Sequence, residues 1–516
     1  MNSIRPIWKL FSTGVLIWLI LGLACNYPVP QREQGGLTGD ELRATIAAGS
    51  VSEEPDPTQI TLEAASPRDD PFAGLRTPTN EDDDSLRVTY YTRSGDTLPA
   101  LAKRFDVDVD EILAPQSLPG EAFLKPGISL EIPKRVDNAP YSNALLPDSE
   151  ILYGPSTVGF DINTYIAGAG GYLSTYGESV NGDYLSGSEI FQRVAVELSV
   201  NPRLLLAFLE YQSGWVFGGM EDPNGVTNPL GFNVPGYKGL YIELTFAATQ
   251  LNIGYYGWRY GTHTMLQFHD QTSVRISPQL NPGTVAIQQL FAKLYDQKPW
   301  IEALYGPDNF LVLYQDMFGD PWDRAALFEP FLLPDLTQPV LELPFVPGER
   351  WSFTGGPHPS WNTGTPYGGL DFSPVTGEPA CVVSRAWATA AAPGVIVRSS
   401  YNVVVIDLDG DGHEGTGWTL MYLHIAEVDH VALGATVNID DRIGHPSCER
   451  GKSTGTHVHL ARKYNGEWLG ADGPIPFVLS GWEAEAESKI YQGSLTQGGQ
   501  SVVANPGGSQ TSIIIR

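Results

Sequence analysis

The stretch STGTHVHLAR, residues 453–462, decides how the C-terminal part of this chain is read. His457 and His459 are separated by one residue, so on a β-strand both side chains leave the same face. Val458 and Leu460 then point the other way, into a core, while the two imidazoles face a groove. Working outward, the neighbouring segments AAPGVIVRSS (391–400), YNVVVIDLD (401–409) and TGWTLMYLHI (416–425) are short apolar runs divided by glycine-rich turns. Such runs predict antiparallel strands and hairpins over 340–482. His358, Asp371 and His424 lie upstream and are the polar residues able to complete a site with the histidine pair.

Two imidazoles and a carboxylate suit zinc, and three protein ligands leave its fourth position open to water, as catalysis requires. His358, Asp371 and His459 form that set for one zinc ion. His457, on the same strand face as His459, remains able to take a proton or stabilise an oxyanion. Each residue alone has a plainer reading: a turn histidine, a turn-capping aspartate, a satisfied strand histidine. Their order within one β-rich region favours the metal.

The motifs GGPHPSWNTGTPYGGLDF (355–372), MYLHI (421–425) and GTHVHL (455–460) resemble the signatures of the M23 metallopeptidases, in the branch of the LasA-like and β-lytic proteases. That resemblance implies an antiparallel β fold, one zinc and cleavage of the peptide cross-links of peptidoglycan, often at glycine-containing bonds. Many M23 members carry the first metal histidine four residues before the aspartate, where this chain has Tyr367. The LasA-like branch uses a longer interval, matched by His358 lying 13 residues before Asp371. Tyr367 then either borders the groove or packs. The resemblance implies that His424, in the MYLHI strand, does the same catalytic work as His457 from the opposite wall, and which of the two is the main base stays open.

A second module covers residues 88–134. In VTYYTRSGDTLPALAKRFDVDVDEILAPQ (88–116) a strand-like stretch leads through Ser94-Gly95-Asp96-Thr97 into apolar residues at helical spacing, and PGISLEIPK (126–134) closes the unit as a strand. This βααβ pattern resembles a LysM domain, which implies binding to the glycan strands of peptidoglycan or chitin. Pro115-Gln116 departs from the polar turn frequent in that family.

Between these modules, residues 150–335 read as a mostly helical domain, with a buried helix in NPRLLLAFLEYQSGW (201–215). That segment faintly resembles the catalytic helix of lysozyme-type enzymes. Gln212 stands where their acid would be, and an amide cannot protonate a leaving oxygen. Glu210 lies on another side of the helix, so the domain reads as non-catalytic.

The chain has 516 residues and a net charge of −28, which disfavours nucleic acid as a partner. Residues 1–25 read as an export signal. The apolar run 15–24 ending at Cys25 resembles a bacterial lipoprotein signal, implying a lipid anchor at Cys25; ordinary secretion is the alternative. Residues 26–87 are acidic and proline-rich, as in a disordered linker, and 483–516 read as a surface-bound or disordered tail in which TSIIIR could add a strand. Of three cysteines, Cys381 and Cys448 remain after Cys25. One disulfide suits an exported protein, and two free thiols are the alternative. DLDGDGHEGTGW (407–418) spaces Asp407, Asp409 and Asp411 as in a calcium loop, but the twelfth residue is Trp418 and no helices flank it. A calcium site and a solvated acidic turn both remain open there.

Together these readings describe an exported or cell-surface zinc endopeptidase acting on peptidoglycan. The alternatives are a non-catalytic wall-binding scaffold or hydrolase activator, and a secreted protease for glycine-rich proteins.

Overall fold

The computed structural model describes residues 86–136, 139, 141–219, 227–232, 234–400, 402–449 and 453–516. The signal segment, Cys25 and most of the acidic linker lie outside the described residues. No described helix is long and apolar enough to cross a membrane.

Near the N-terminus, β1 (Arg87–Tyr91) pairs antiparallel with β2 (Ser129–Pro133), and α1 (Leu98–Phe105) packs against them. The Thr97 hydroxyl caps α1 by accepting from the Ala100 N–H, and Asp106 ends it in the left-handed conformation. Tyr90, Leu101, Phe105, Leu130 and Ile132 form a small core of their own.

A helical region follows. It contains α2 (Ile162–Ala169), α3 (Gly187–Leu198), α4 (Pro202–Ser213), α5 (Leu240–Arg259), α6 (Pro282–Ala292), α7 (Gln297–Tyr305), α8 (Phe310–Phe318) and α9 (Pro321–Ala325). Two short hairpins, β3 (Gly177–Val180) with β4 (Asp183–Ser186) and β5 (Met265–Gln267) with β6 (Ser273–Arg275), fill its edges. A Ser186–Glu189 capping box starts α3, while Asn201 and Pro202 start α4. The run of Leu204 to Leu209 in α4 is buried on every side, as its unbroken apolar sequence requires.

The C-terminal region is antiparallel. Its main sheet uses β7 (Arg350–His358), β8 (Gly369–Pro374), β10 (Gly394–Ser400), β11 (Val403–Asp407), β12 (Trp418–Leu423), β13 (Thr436–Val437), β15 (Val458–Tyr464), β16 (Glu467–Trp468) and β21 (Ile513–Ile515). The order is β13-β10-β11-β12-β15-β8-β7-β21, with β16 pairing β15. Short β9 (Ala388–Thr389) pairs β14 (Arg442–Gly444) beside it. The tail expectation is corrected here. β17 (Val478–Leu479), β18 (Trp482–Ala486), β19 (Gly493–Gln497) and β20 (Gln500–Val503) form a four-stranded sheet, and Ile513–Ile515 adds to β7 as an edge strand. Ala484, Leu495, Val502 and Ile514 enter the same core as Phe353 and Phe372, so the β unit extends to the end of the chain. The expected linker shortens too, because Arg87 already belongs to β1.

The central strands explain the contact between the helical and β regions. Val404, Ile406, Leu420, Tyr422, Val458 and Leu460 face the inner core of the β region. Val403, Val405, Met421, Leu423 and Ala461 face the opposite way and share one core with the helices. Burial on both faces is why β11 reads as an unbroken VVVI run instead of alternating with polar residues.

Arg259, at the end of α5, ties all three regions together. Its guanidinium donates to Glu467 beside the sheet (2.9 Å), to Tyr255 (2.8 Å) in its own helix and to the Ser94 carbonyl of the N-terminal module (2.7 Å). Arg104 of α1 reaches back, donating to the Trp258 carbonyl at 2.9 Å and pairing with Asp96 at 2.8 Å. Removing one partner of a buried pair leaves an uncompensated charge. Arg259→Met is therefore expected to cost about 3–5 kcal/mol in denaturant unfolding, with Arg259→Met/Glu467→Leu recovering part of it. Equal destabilisation by the single and double variants would show that the stranded Glu467 charge is not the cause.

Candidate metal centre

Three adjacent strands bring the predicted ligands together. β15 and β8 pair with His459 directly opposite Asp371, and β7 and β8 pair with His358 opposite Gly369. The register of β7 shifts between Phe353 and Gly355 and again before His358. Such bulges re-aim side chains, here turning His358 toward the other two ligands.

Backbone carbonyls set the tautomers. A carbonyl only accepts, so His358 Nδ1, 2.8 Å from the Gly356 carbonyl, must carry a hydrogen. His459 Nε2, 2.9 Å from the Ser360 carbonyl, must do so too. The remaining nitrogens, His358 Nε2 and His459 Nδ1, lie 2.9 Å apart. They stand 3.3 and 3.1 Å from Asp371 Oδ1. In neutral rings these are three lone pairs facing one another with no hydrogen between them, an arrangement that calls for a cation. Tetrahedral zinc with ligands at ~2.0–2.1 Å would space such atoms roughly 3.3 Å apart. The donor set therefore fits zinc.

The metal-free electrostatics agree in direction. Burial opposes charge on His358, but the Asp371 carboxylate outweighs it and raises the imidazole above its ordinary value. Burial also works against the Asp371 anion, yet the neighbouring imidazoles, His358 foremost, hold it well below the usual carboxylate range. His459 is pushed down chiefly by burial.

His457 precedes β15 and donates from Nδ1 to the Gly455 carbonyl at 2.7 Å, leaving Nε2 bare and 3.8 Å from Asp371 Oδ1. His424 lies one residue beyond β12 in the left-handed region (φ 65°), and this break turns its ring to 4.5 Å from that of His457. Burial, followed by the neighbouring His457 and His459, pushes His424 down to about 3. Its buried Nδ1 has no hydrogen-bond partner among the described residues. It is thus a neutral imidazole at working pH, suited to hydrogen bonding and not to supplying charge.

Tyr491 was not legible as a site residue. It sits between β18 and β19, donates its backbone N–H to the Pro357 carbonyl, and stacks its ring on His358 at 4.2 Å. Only its contacts with Pro357 and His358 in the folded chain reveal it, since 133 residues of chain separate it from His358. Tyr367 is exposed and does not pack into the core.

The other predicted features fall elsewhere. Cys381 and Cys448 are joined in a disulfide that links the loop after β8 to the loop before β15. Asp407, Asp409 and Asp411 cluster within 4.8 Å. Asp407 accepts from the backbone N–H groups of Asp409, Gly410 and Gly412, and Asp411 from that of His413 and from the Thr416 hydroxyl. Glu414 of the same loop is buried against Arg398 and Lys463. In the helical region, Glu210 caps the turn after α4 by accepting from the Val216 and Phe217 N–H groups, and Gln212 bonds the Tyr295 hydroxyl.

Gly369 is fixed by the site. A Cβ there would stand 2.2 Å from His459 Cε1. Gly369→Ala is expected to displace the His459 ring and weaken zinc retention against a chelator by about 10–100-fold. Unchanged retention would show that the ring does not need that space.

Residues 144–331 match the family model described as LasA, N-terminal domain, and residues 90–133 match the LysM domain. The segment with the faint lysozyme-type likeness falls inside the first match. The chain is 26% identical over 354 residues to Protease LasA of Pseudomonas aeruginosa, covering 64% of this chain and 75% of that protein. It is 30% identical over 185 residues to the beta-lytic metalloendopeptidase of Achromobacter lyticus, covering 33% of this chain and 46% of that protein. The solved structure of the M23 metalloprotease pseudoalterin, from the deep sea, is 24% identical with a TM-score of 0.27, covering 33% of this chain and 96% of that one.

Proposed function

We propose that this chain, a metalloendopeptidase of the M23 type carrying a LysM module, uses one zinc ion to hydrolyse the peptide cross-links of bacterial peptidoglycan. The observation that carries the reading is the convergence of His358 Nε2, His459 Nδ1 and Asp371 Oδ1 as three hydrogen-free donors within 3.3 Å of one another. These residues would hold the ion. When bound, zinc polarises a scissile carbonyl and makes water nucleophilic near neutral pH.

The chain's own groups do the rest. His457 Nε2, bare because Nδ1 is committed to Gly455, accepts the proton of the attacking water and returns it to the departing amine. Neutral His424, on the far side of His457, hydrogen-bonds the developing oxyanion or the His457 partner. The Tyr491 ring closes one side of the groove over His358, limiting water there. The LysM module binds glycan strands and raises the local concentration of cross-links around the zinc domain. Export to the cell surface, with a lipid anchor at Cys25, would put the enzyme where this polymer is. Calcium at Asp407, Asp409 and Asp411 plays no part in this reading.

The test is mass spectrometry of purified peptidoglycan treated with the full chain. New peptide amine ends that vanish with a zinc chelator are expected, and His457→Ala is expected to lower kcat about 10²–10⁴-fold while zinc content is kept. Intact cross-links after treatment with a zinc-loaded chain would contradict the endopeptidase reading and favour a wall-binding scaffold.

A further inference from the structure

The helical region meets the sheet on the same face that carries the metal ligands. Along β15, Val458 and Leu460 point into the inner core, whereas Ala461 joins the core shared with the helices. His459 alternates with Val458 and Leu460, so it shares the Ala461 face. The helices therefore pack on the sheet face that also carries His459.

One turn spans that gap. The connection from β7 to β8 folds back on itself at 360–366, where the Ser360 N–H and hydroxyl both donate to the Pro366 carbonyl (2.9 and 3.0 Å). The Trp361 N–H donates to the Thr365 hydroxyl at 3.1 Å, and the Thr365 N–H to the Asn362 carbonyl, also at 3.1 Å. Ser360 is fully buried, and its carbonyl is the group that receives His459 Nε2–H.

The outer side of this turn rests on α5. Asn362 donates its side-chain amide to the Thr249 hydroxyl at 2.9 Å, and that hydroxyl donates to the Thr245 carbonyl one helical turn back. Gly364 (φ +103°) lies so near the helix that a Cβ would come within 2.9 Å of Ile253 Cγ1 and 3.1 Å of the Thr249 carbonyl. Trp361 packs against the core of the helical region. A continuous path thus runs from α5 through the turn to the imidazole that offers Nδ1 to the metal.

We propose that α5 is a built-in brace of the metal centre: Thr249, through Asn362 and the 360–366 turn, positions the Ser360 carbonyl that holds His459 in its metal-binding tautomer and orientation. Thr249 and Asn362 are positioning residues and touch no substrate. Groups that hydrogen-bond a metal-ligating histidine commonly change metal affinity by about 10–100-fold when lost. The inference rests on the zinc reading of His358, Asp371 and His459.

The test uses the full chain. Zinc dissociation constants are measured by chelator competition, and the cobalt-substituted protein is followed by its visible absorption, for the parent, Thr249→Val, Asn362→Leu and Thr249→Ser. Met421→Ala serves as a control, because it loosens the shared core without removing a hydrogen bond of the path from Thr249 to His459. Thr249→Val and Asn362→Leu are expected to weaken zinc binding about 10-fold or more and to shift the cobalt bands. Thr249→Ser, which keeps the hydroxyl, is expected to match the parent, and Met421→Ala to lower the melting temperature with little change in zinc affinity. Parent-like zinc affinity and cobalt bands in Thr249→Val and Asn362→Leu would overturn the brace, as would an equal loss in Met421→Ala. A parent chain that binds no zinc would overturn the metal-centre reading itself, a separate result.

Discussion

His358 Nε2, His459 Nδ1 and Asp371 Oδ1 meet within 3.3 Å, and with both rings neutral each offers a lone pair and none a hydrogen. Much of the surrounding structure serves to hold that unfavourable meeting in place. The carbonyls of Gly356 and Ser360 occupy the outward nitrogens, so the rings cannot rotate to relieve the repulsion without losing buried hydrogen bonds. The cross-strand pairing of His459 with Asp371 and the bulged course of β7 supply the placement. A site so organised before the ion arrives loses little freedom when it binds one, which is the advantage of building ligands on strands instead of loops.

The same sheet must also carry the weight of the helical region. β11, β12 and β15 are apolar on both faces, with one face closed by the β region's own core and the other by helices. Arg259 and Glu467 then place a buried ion pair where the helices, the sheet and the N-terminal module meet. The LysM-type unit is consequently seated on the helical region, with Arg104 bonded to the end of α5.

The convergence of His358, Asp371 and His459 is legible because each residue rests on a local pattern: the alternation of HVH, the Gly-Gly-Pro-His turn and the Gly-Leu-Asp strand. The groups that orient them are not. Gly356, Ser360 and Gly455 act through backbone carbonyls, which leave no mark in a sequence. Tyr491 reaches His358 only because the C-terminal strands fold back beside β7. Those strands looked like a tail because GSLTQGGQSVV has few apolar residues; yet Leu495 and Val502 alternate correctly about a Gly498-Gly499 turn, a hairpin signal that polar composition obscured. The helical region was visible as helices, but its closeness to the metal centre depends on Thr249, Asn362 and Gly364, residues that look like ordinary surface positions until the chain is folded.

Zinc K-edge X-ray absorption on the full chain tests the central claim most directly. The account predicts one zinc with four nitrogen and oxygen neighbours at about 2.0–2.1 Å, two of them imidazoles, with the oxygen count reduced and binding weakened in Asp371→Ala. Sulfur neighbours at about 2.3 Å, or a spectrum unchanged by Asp371→Ala, would place the metal elsewhere and contradict it.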